Sequence, residues 1–217
     1  PLLLVALTKE LFANQLAEDG FTGANGSEFA IPGMAVAFAS FGVGYAGFTF
    51  FRDHGWGTWD RLRATPASSV DLLVGKLFPT VALTVVQLGL LFLVGQPLFG
   101  LEITGSWLAL AVLVFVLALS LSAFGMLVTA LARTMNQLNA IGSVGGMAMA
   151  MLGGAWVPVS AMPGWAQAIA PAIPTYWAMQ GFQSVILEGA GLTDVVGPAA
   201  VMLGFGALFT ALAAWKF

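Results

Sequence analysis

Few residues in this chain have side chains that could carry out chemistry, and they are concentrated in one segment. The 217 residues include 7 Lys and Arg, 10 Asp and Glu and a single histidine, His54. Segment 51–76 contains that histidine and seven of the charged residues, namely Arg52, Asp53, Asp60, Arg61, Arg63, Asp71 and Lys76. One imidazole with scattered carboxylates is a weak constellation for acid–base catalysis. It cannot form a zinc site in a chain without cysteine.

Two glycine-containing patterns resemble nucleotide-binding motifs. Gly42-Val-Gly44-Tyr-Ala-Gly47 matches G-x-G-x-x-G, but it lies within an apolar run and not between a strand and a helix. Gly75-Lys76 is not a P-loop, because Val70 stands at the position of the first glycine. The sequence therefore indicates no internal site for nucleotide hydrolysis.

Composition excludes an ordinary soluble domain. Hydrophobic residues make up 59% of the chain and charged residues 8%, with a mean hydropathy of +0.93. Soluble domains typically contain about 25% charged residues, so most of this surface must face lipid. The chain opens at Pro1 without a basic n-region, so we expect no signal peptide at its start and a longer subunit around it.

The apolar segments predict one all-α polytopic membrane domain over residues 1–217, with six transmembrane helices, the first of them truncated. A spanning helix needs about 20 mainly apolar residues. The proline-rich region before the last span predicts two short helices, Trp165–Ala172 and Tyr176–Leu187, in an outer re-entrant hairpin. The predicted ranges are 1–13 (end of span one), 14–30 (outer loop), 31–51 (span two), 52–69 (cytosolic segment), 70–95 (span three), 107–132 (span four), 138–157 (span five), 158–197 (hairpin) and 198–215 (span six).

The distribution of basic residues predicts the orientation. Lys and Arg favour the cytoplasmic side of a membrane. If segment 51–76 is cytoplasmic, every basic residue except Lys9 lies inside, and most acidic residues lie outside. We therefore expect a multi-pass protein of a plasma or bacterial inner membrane, in contact with lipid, with its C-terminus in the cytoplasm.

Two faces of the predicted helices are candidates for packing or for a substrate path. A small residue at every fourth position of span five permits close helix packing, within the subunit or at a dimer or gate interface. Polar and methionine side chains lie on a neighbouring face of span five, and aromatic side chains lie on one face of span two. These two faces either make ordinary helix-packing contacts or line a shared cavity with an adaptable apolar wall. The packing stripe is Gly142, Gly146, Ala150 and Gly154, and the candidate path residues are Phe38, Phe41, Tyr45, Phe48, Asn139, Ser143, Met147 and Met151.

The charged segment predicts a short amphipathic helix between spans two and three. Thr58 is a candidate N-cap, and Pro66 ends the element because the residue before a proline disfavours helical geometry. One interpretation is an interfacial helix that only anchors the loop. The other is a docking element for a partner protein, with Arg61 and Arg63 as contacts.

Two motifs, in order and on the expected sides, resemble the permease subunits of type-2 ABC transporters, which include drug-resistance and polysaccharide exporters. The first is the run from Arg52 to Pro66, RDHGWGTWDRLRATP, followed by Gly75-Lys76; it is similar to the family's E-R-E-x-G-T-L-E-x-L-x-x-T-P pattern. The second is MPGWAQAIA with PTYWA, similar to the family's outer hairpin. His54 replaces the usual Glu, and Phe182-Gln183-Ser184 stands where an Arg often occurs.

The resemblance implies an ATP-driven exporter with a hydrophobic or amphiphilic substrate, such as a drug, a lipid or a lipid-linked glycan. It implies a coupling helix that docks on a separate ATPase subunit, which would bind the ATP and Mg²⁺. This chain would bind no cofactor and no nucleic acid, and would not be an enzyme by itself. A second permease copy, identical or not, would complete the path. The docking residues would be Gly57, Thr58, Trp59, Asp60, Arg61, Leu62, Arg63, Thr65 and Pro66.

Two alternatives remain open from the residues themselves. A membrane-embedded enzyme acting on lipids could use Asp53, His54 and Asp60 at the inner face. An ion-coupled carrier or channel is disfavoured, because such proteins place ionisable residues at mid-membrane and none lies well inside spans two to six.

Overall fold

The computed structural model describes residues 2–18, 26–43 and 69–216, and in these ranges the chain is helical, without strands. We number the α-helices in chain order. They are α1 (Leu2–Glu18), α2 (Ser27–Phe41), α3 (Ser69–Phe99), α4 (Trp107–Leu131), α5 (Met135–Leu152), α6 (Gly164–Ile169), α7 (Pro174–Leu187) and α8 (Val196–Lys216), with 3₁₀ turns at Val159–Ala161 and Ala170–Ala172.

Helix α2 lies at the centre of the bundle. It contacts α1, α3, α4, α5 and α7, and nearly all of its residues are buried. Its Phe29 is 1% exposed and packs on Phe12 of α1, with ring centroids 4.6 Å apart. On another side of the core, Phe92 of α3 and Phe182 of α7 meet at 5.2 Å. The first contact joins two consecutive helices, and the second joins helices that are distant in sequence, so both belong to one core.

Three described helices are long and apolar enough to cross a membrane: Leu77–Phe99 within α3, Trp107–Leu131 (α4) and Val196–Lys216 (α8). Helix α8 packs along α4, and α4 also contacts α3. Helix α2 is apolar but has only 15 residues in the described range. The all-helical class and a multi-pass membrane protein follow from these helices, whereas the count of six spans stays a prediction.

Several helix boundaries differ from those predicted. Helix α1 continues to Glu18 and α2 begins at Ser27, so the predicted outer loop 14–30 is helical at both ends. Residues Asn14–Glu18 include strong helix formers, so the helix can continue through them. A prediction based on hydropathy misses this extension because the segment is polar. Helix α3 continues through Pro97 to Phe99 instead of ending at residue 95, which is possible because a proline removes only one hydrogen bond from the last turn. Helices α4 and α8 match within two residues.

Helix α5 is fixed by signals at both ends. The Thr134 hydroxyl accepts a hydrogen bond from Gln137 N, and Gln137 Oε1 accepts one from Arg133 N, a variant of the capping box. The helix ends at Leu152 and not at the predicted residue 157, because Gly154 adopts a φ of +89°, which favours glycine. Gly154 therefore lies outside the helix, and only three members of the predicted stripe belong to α5.

The charged residues divide between the two ends of the bundle. Glu28, Glu102, Glu188 and Asp194 lie at the end where α2, α4 and α8 begin, which we call the acidic end. Arg133 and Lys216 lie at the opposite end, in the α4–α5 connection and at the end of α8.

Candidate functional site

The predicted small-residue stripe is buried within the same chain, and its Gly146 packs against α2. Gly142, Gly146 and Ala150 are all buried. A Cβ atom at Gly146 would overlap the carbonyl oxygen of Ser40, and one at Gly33 would overlap that of Ala155. The backbone of α2 therefore touches α5 at Gly146 and touches the segment after α5 at Ala155, and only small residues allow such close contacts. Gly146 thus packs inside its own chain, and a role of the stripe at a dimer or gate interface stays a prediction.

The candidate path residues of α5 are exposed in this chain. Asn139 and Ser143 are exposed, and Met147 and Met151 are 44% and 49% exposed. No other part of the described chain covers this face of α5. The packing stripe and the path residues thus lie on different faces of one helix, as their spacing predicts.

The aromatic residues of α2 reach the same region. Phe41 is 39% exposed and meets Phe38 edge to face at 6.2 Å. It directly follows Ser40, and Met147 directly follows Gly146, so both exposed side chains flank the point where the two helices touch. The structure brings these residues together. Tyr45 and Phe48, the other two members of the aromatic stripe, lie outside the described residues.

Helix α7 is anchored inside the bundle at its start. The Thr175 hydroxyl donates to the Met149 carbonyl of α5 over 2.5 Å, and both residues are buried. This hydrogen bond crosses 26 positions in the sequence. Because Met149 precedes the end of α5, α7 starts within the bundle and not beyond it. This geometry fits the predicted re-entrant hairpin, whose position in a membrane stays a prediction.

The other end of α7 is held by the loop between α3 and α4. Thr104 Oγ1 donates to the Ile186 carbonyl over 2.8 Å, and Gly105 N donates to the Val185 carbonyl over 2.9 Å. Ser106 N reaches the Ala190 carbonyl over 3.2 Å. These backbone-directed bonds anchor the hairpin although the sequence lacks the family's arginine. Sequence reasoning missed them, since no residue type in 104–106 marks a long-range partner.

A cavity of about 300 Å³ opens at the acidic end between α1, α2, α7 and the segment after α5. Phe12, Phe29, Tyr176, Gln180 and Glu188 are among the side chains that line it. Sequence reasoning treated Gln180 as an ordinary helix contact. In the structure Gln180 Nε2 donates to Tyr176 Oη over 2.7 Å at the cavity wall. The two residues are four positions apart, one turn of a helix, and this spacing is the sequence signal that could have predicted their hydrogen bond.

The predicted docking residues, Gly57 to Pro66, lie outside the described residues, as does His54. Among the residues that are described, no group of three His, Cys, Asp or Glu side chains is placed to hold a metal ion. The geometry thus offers a helix-lined surface and a cavity as candidate sites.

Comparison with known proteins identifies the family to which this arrangement belongs. The sequence profile of the ABC-2 type transporter family matches residues 1–187. The chain belongs to the ABC-2 type transporter family. This ABC-2 chain is 30% identical to the linearmycin resistance permease protein LnrN of Bacillus subtilis (strain 168), over 89% of its own length and 51% of the relative's.

A second relative of this ABC-2 chain is the inner membrane transport permease YhhJ of Escherichia coli (strain K12). It is 26% identical over 79% of the chain and 46% of the relative. The ABC-2 chain therefore spans about half the length of the curated relatives it matches. No solved structure matches it significantly. Family membership makes it a membrane subunit of an ABC transporter.

Proposed function

We propose that this chain forms the core of a permease subunit in an ATP-driven exporter, with a translocation path built from the exposed faces of α2 and α5. The observation that carries the proposal is the contact between Gly146 and Ser40. It fixes α5 against α2 so that Met147, Met151 and Phe41 face away from the core of their own chain.

A second permease copy would complete this path. A face of methionine, aromatic and small polar side chains suits a bulky apolar or amphiphilic substrate, because methionine adapts its shape to different ligands. The related LnrN is a resistance permease by name. By analogy, we propose that the substrate of this chain is a hydrophobic drug or a lipid-like compound.

Energy would enter through the segment 52–69, which we propose as the coupling helix. The chain offers no P-loop, so hydrolysis of ATP with Mg²⁺ is assigned to a separate ATPase subunit. Arg61, Arg63 and Leu62 lie between Thr58 and Pro66 in the segment similar to the family's docking pattern. Charged and apolar side chains on such a helix are suited to a protein interface. With this orientation the acidic end faces outward and the C-terminus is cytoplasmic.

The test copurifies the full-length subunit with its candidate ATPase subunit and measures substrate-stimulated ATP hydrolysis. Arg61→Glu and Leu62→Asp are each expected to reduce recovery of the complex and stimulation by at least about tenfold, as for interface hot spots. Arg133→Glu, a charge reversal in another loop at the same end as Lys216, is the matched control and should leave both intact. Full assembly and stimulation in both coupling variants would refute the docking role. Turnover of a lipid by the permease alone would instead favour an enzyme.

A further inference from the structure

The cavity at the acidic end has two different walls. Phe12 of α1 and Phe29 of α2 supply an apolar wall, and Tyr176 and Gln180 of α7, with Glu188 just after it, supply a polar wall. Its volume of about 300 Å³ is at the lower end of the range for small-molecule sites, about 300–1,000 Å³. None of the described residues of the proposed path lines this cavity, so we treat it as a separate site within one chain.

A contact between two aromatic rings forms the apolar wall. The rings of Phe12 and Phe29 are 4.6 Å apart, and Phe29 belongs to the buried core. Since these two side chains come from α1 and α2, their contact fixes the wall across two helices. A wall of this kind gains free energy by covering a hydrocarbon segment of a ligand.

The polar wall presents hydrogen-bonding groups in fixed positions. The bond of 2.7 Å between Gln180 Nε2 and Tyr176 Oη holds an amide and a phenol side by side on α7. Glu188, immediately after α7, adds a carboxylate at the rim, where it is exposed. A carboxylate accepts hydrogen bonds but donates none when ionised, so it selects ligands that carry donors.

The described charged residues at the cavity's end of the bundle are predominantly negative. Glu28 directly precedes Phe29, is 5% exposed, and its Oε2 has no hydrogen-bond partner among the described residues. Glu102 and Asp194 lie at the same end. Lys9 is the exception at this end, since its carbonyl lies against Gly26, but the described lining residues include no Lys or Arg. Like-signed charges around a cleft concentrate ions of the opposite sign.

We infer that this cavity binds the ammonium group of a cationic amphiphile. The ammonium donates to the Glu188 carboxylate and to the amide and phenol of α7, while the adjoining hydrocarbon lies on Phe12 and Phe29. The amine of a phospholipid headgroup and a soluble long-chain amine share this chemistry. The inference does not depend on transport, because binding is measured without ATP.

The test uses the full-length subunit in phosphatidylcholine nanodiscs, with dodecylamine as the probe and calorimetric titration as the measurement. Discs without protein correct for partitioning into lipid. Saturable binding of dodecylamine is expected, with dodecanol binding more weakly. Glu188→Gln should weaken dodecylamine binding by about two- to fivefold, as for a partly exposed ion pair, and leave dodecanol unchanged. Ser160→Trp, at an exposed lining position, should remove saturable binding of both.

Glu102→Gln is the matched control: it removes one negative charge from the same end but does not change the cavity lining, so its effect on dodecylamine binding should be clearly smaller than that of Glu188→Gln. Three outcomes would each overturn the inference. They are equal affinities for dodecylamine and dodecanol, equal effects of Glu188→Gln and Glu102→Gln, and unchanged binding in Ser160→Trp. Nanodiscs that contain phosphatidylethanolamine identify the source of the ammonium. Weaker dodecylamine binding in them assigns the site to a lipid headgroup, whereas unchanged binding assigns it to a soluble amphiphile.

Discussion

Gly146 of α5 lies directly against the backbone of Ser40 in α2, so closely that no side chain fits between them. This contact sets the rotation of α5 about its own axis. It buries the small-residue stripe and turns Met147 and Met151 outward. The surface that we propose as part of the path thus depends on a packing contact made by a different face of the same helix.

Gly146→Leu is expected to separate α2 from α5. The larger side chain meets backbone atoms that cannot rotate away, and overpacking of this kind typically costs about 1–3 kcal/mol. Thermal unfolding of the purified subunit in detergent, with size-exclusion chromatography, measures the loss. Ala148→Leu, at an exposed position on the same helix, adds a comparable side chain and should leave the midpoint unchanged. Equal midpoints in both variants would contradict the close contact.

Met147→Cys tests whether the exposed face of α5 meets a second copy. The sequence has no native cysteine, so in a cysteine-free subunit a new thiol reports one position. Two copies that share a path should give a disulfide-linked dimer in oxidised membranes, provided that the Cα atoms approach within about 7 Å. Leu208→Cys, at a position 52% exposed on α8, is the control and should remain monomeric. A dimer in the Leu208→Cys variant and none in the Met147→Cys variant would place the interface elsewhere.

Thr175→Val removes the hydroxyl that joins α7 to the Met149 carbonyl while keeping the side chain's shape. Because the carbonyl is buried, losing its partner should cost about 1–3 kcal/mol and increase amide exchange in residues 174–180. Hydrogen exchange with mass spectrometry measures both effects. Thr210→Val is the comparison, since Thr210 is exposed and bonds only within its own helix. Unchanged protection of α7 in Thr175→Val would show that the hydrogen bond does not anchor it.

Met151→Ala and Phe41→Ala are expected to lower the apparent affinity for a transported amphiphile. Each removes an exposed apolar side chain from the proposed path, and about 1 kcal/mol of lost contact corresponds to roughly a fivefold rise in KM. Substrate-stimulated ATP hydrolysis by the assembled transporter gives KM and kcat separately. Leu203→Ala, at a position 48% exposed on α8, serves as control. A fall in kcat with KM unchanged would point to coupling instead of substrate contact.

Much of the fold follows from local sequence signals. The apolar runs of α4 and α8 predicted their helices within two residues, because backbone groups in lipid must be satisfied within each helix. The boundaries at Glu18, Ser27 and Leu152 were predicted less well. At Leu152 the end is set by the left-handed conformation of Gly154, which hydropathy does not detect.

The candidate sites were predictable to different degrees. The spacing of Gly142, Gly146 and Ala150 separates two faces of α5 by helix geometry alone. The partner of the stripe was not predictable, because small residues permit contact with any helix. The cavity was not foreseen at all. Its walls come from α1, α2 and α7, and only their packing brings Phe12, Phe29 and Gln180 together.

The sequence by itself determined that this protein lies in a lipid membrane, that it is helical and that it resembles a known family. The first two depend on composition and on long apolar runs, and the third depends on contiguous motifs. Tertiary structure alone decided that α5 packs on α2 and that Thr175 and Thr104 anchor α7. Those contacts join residues far apart in the chain through backbone carbonyls, which every residue type carries. A carbonyl has no sequence signature, so its partner appears only when the helices are packed.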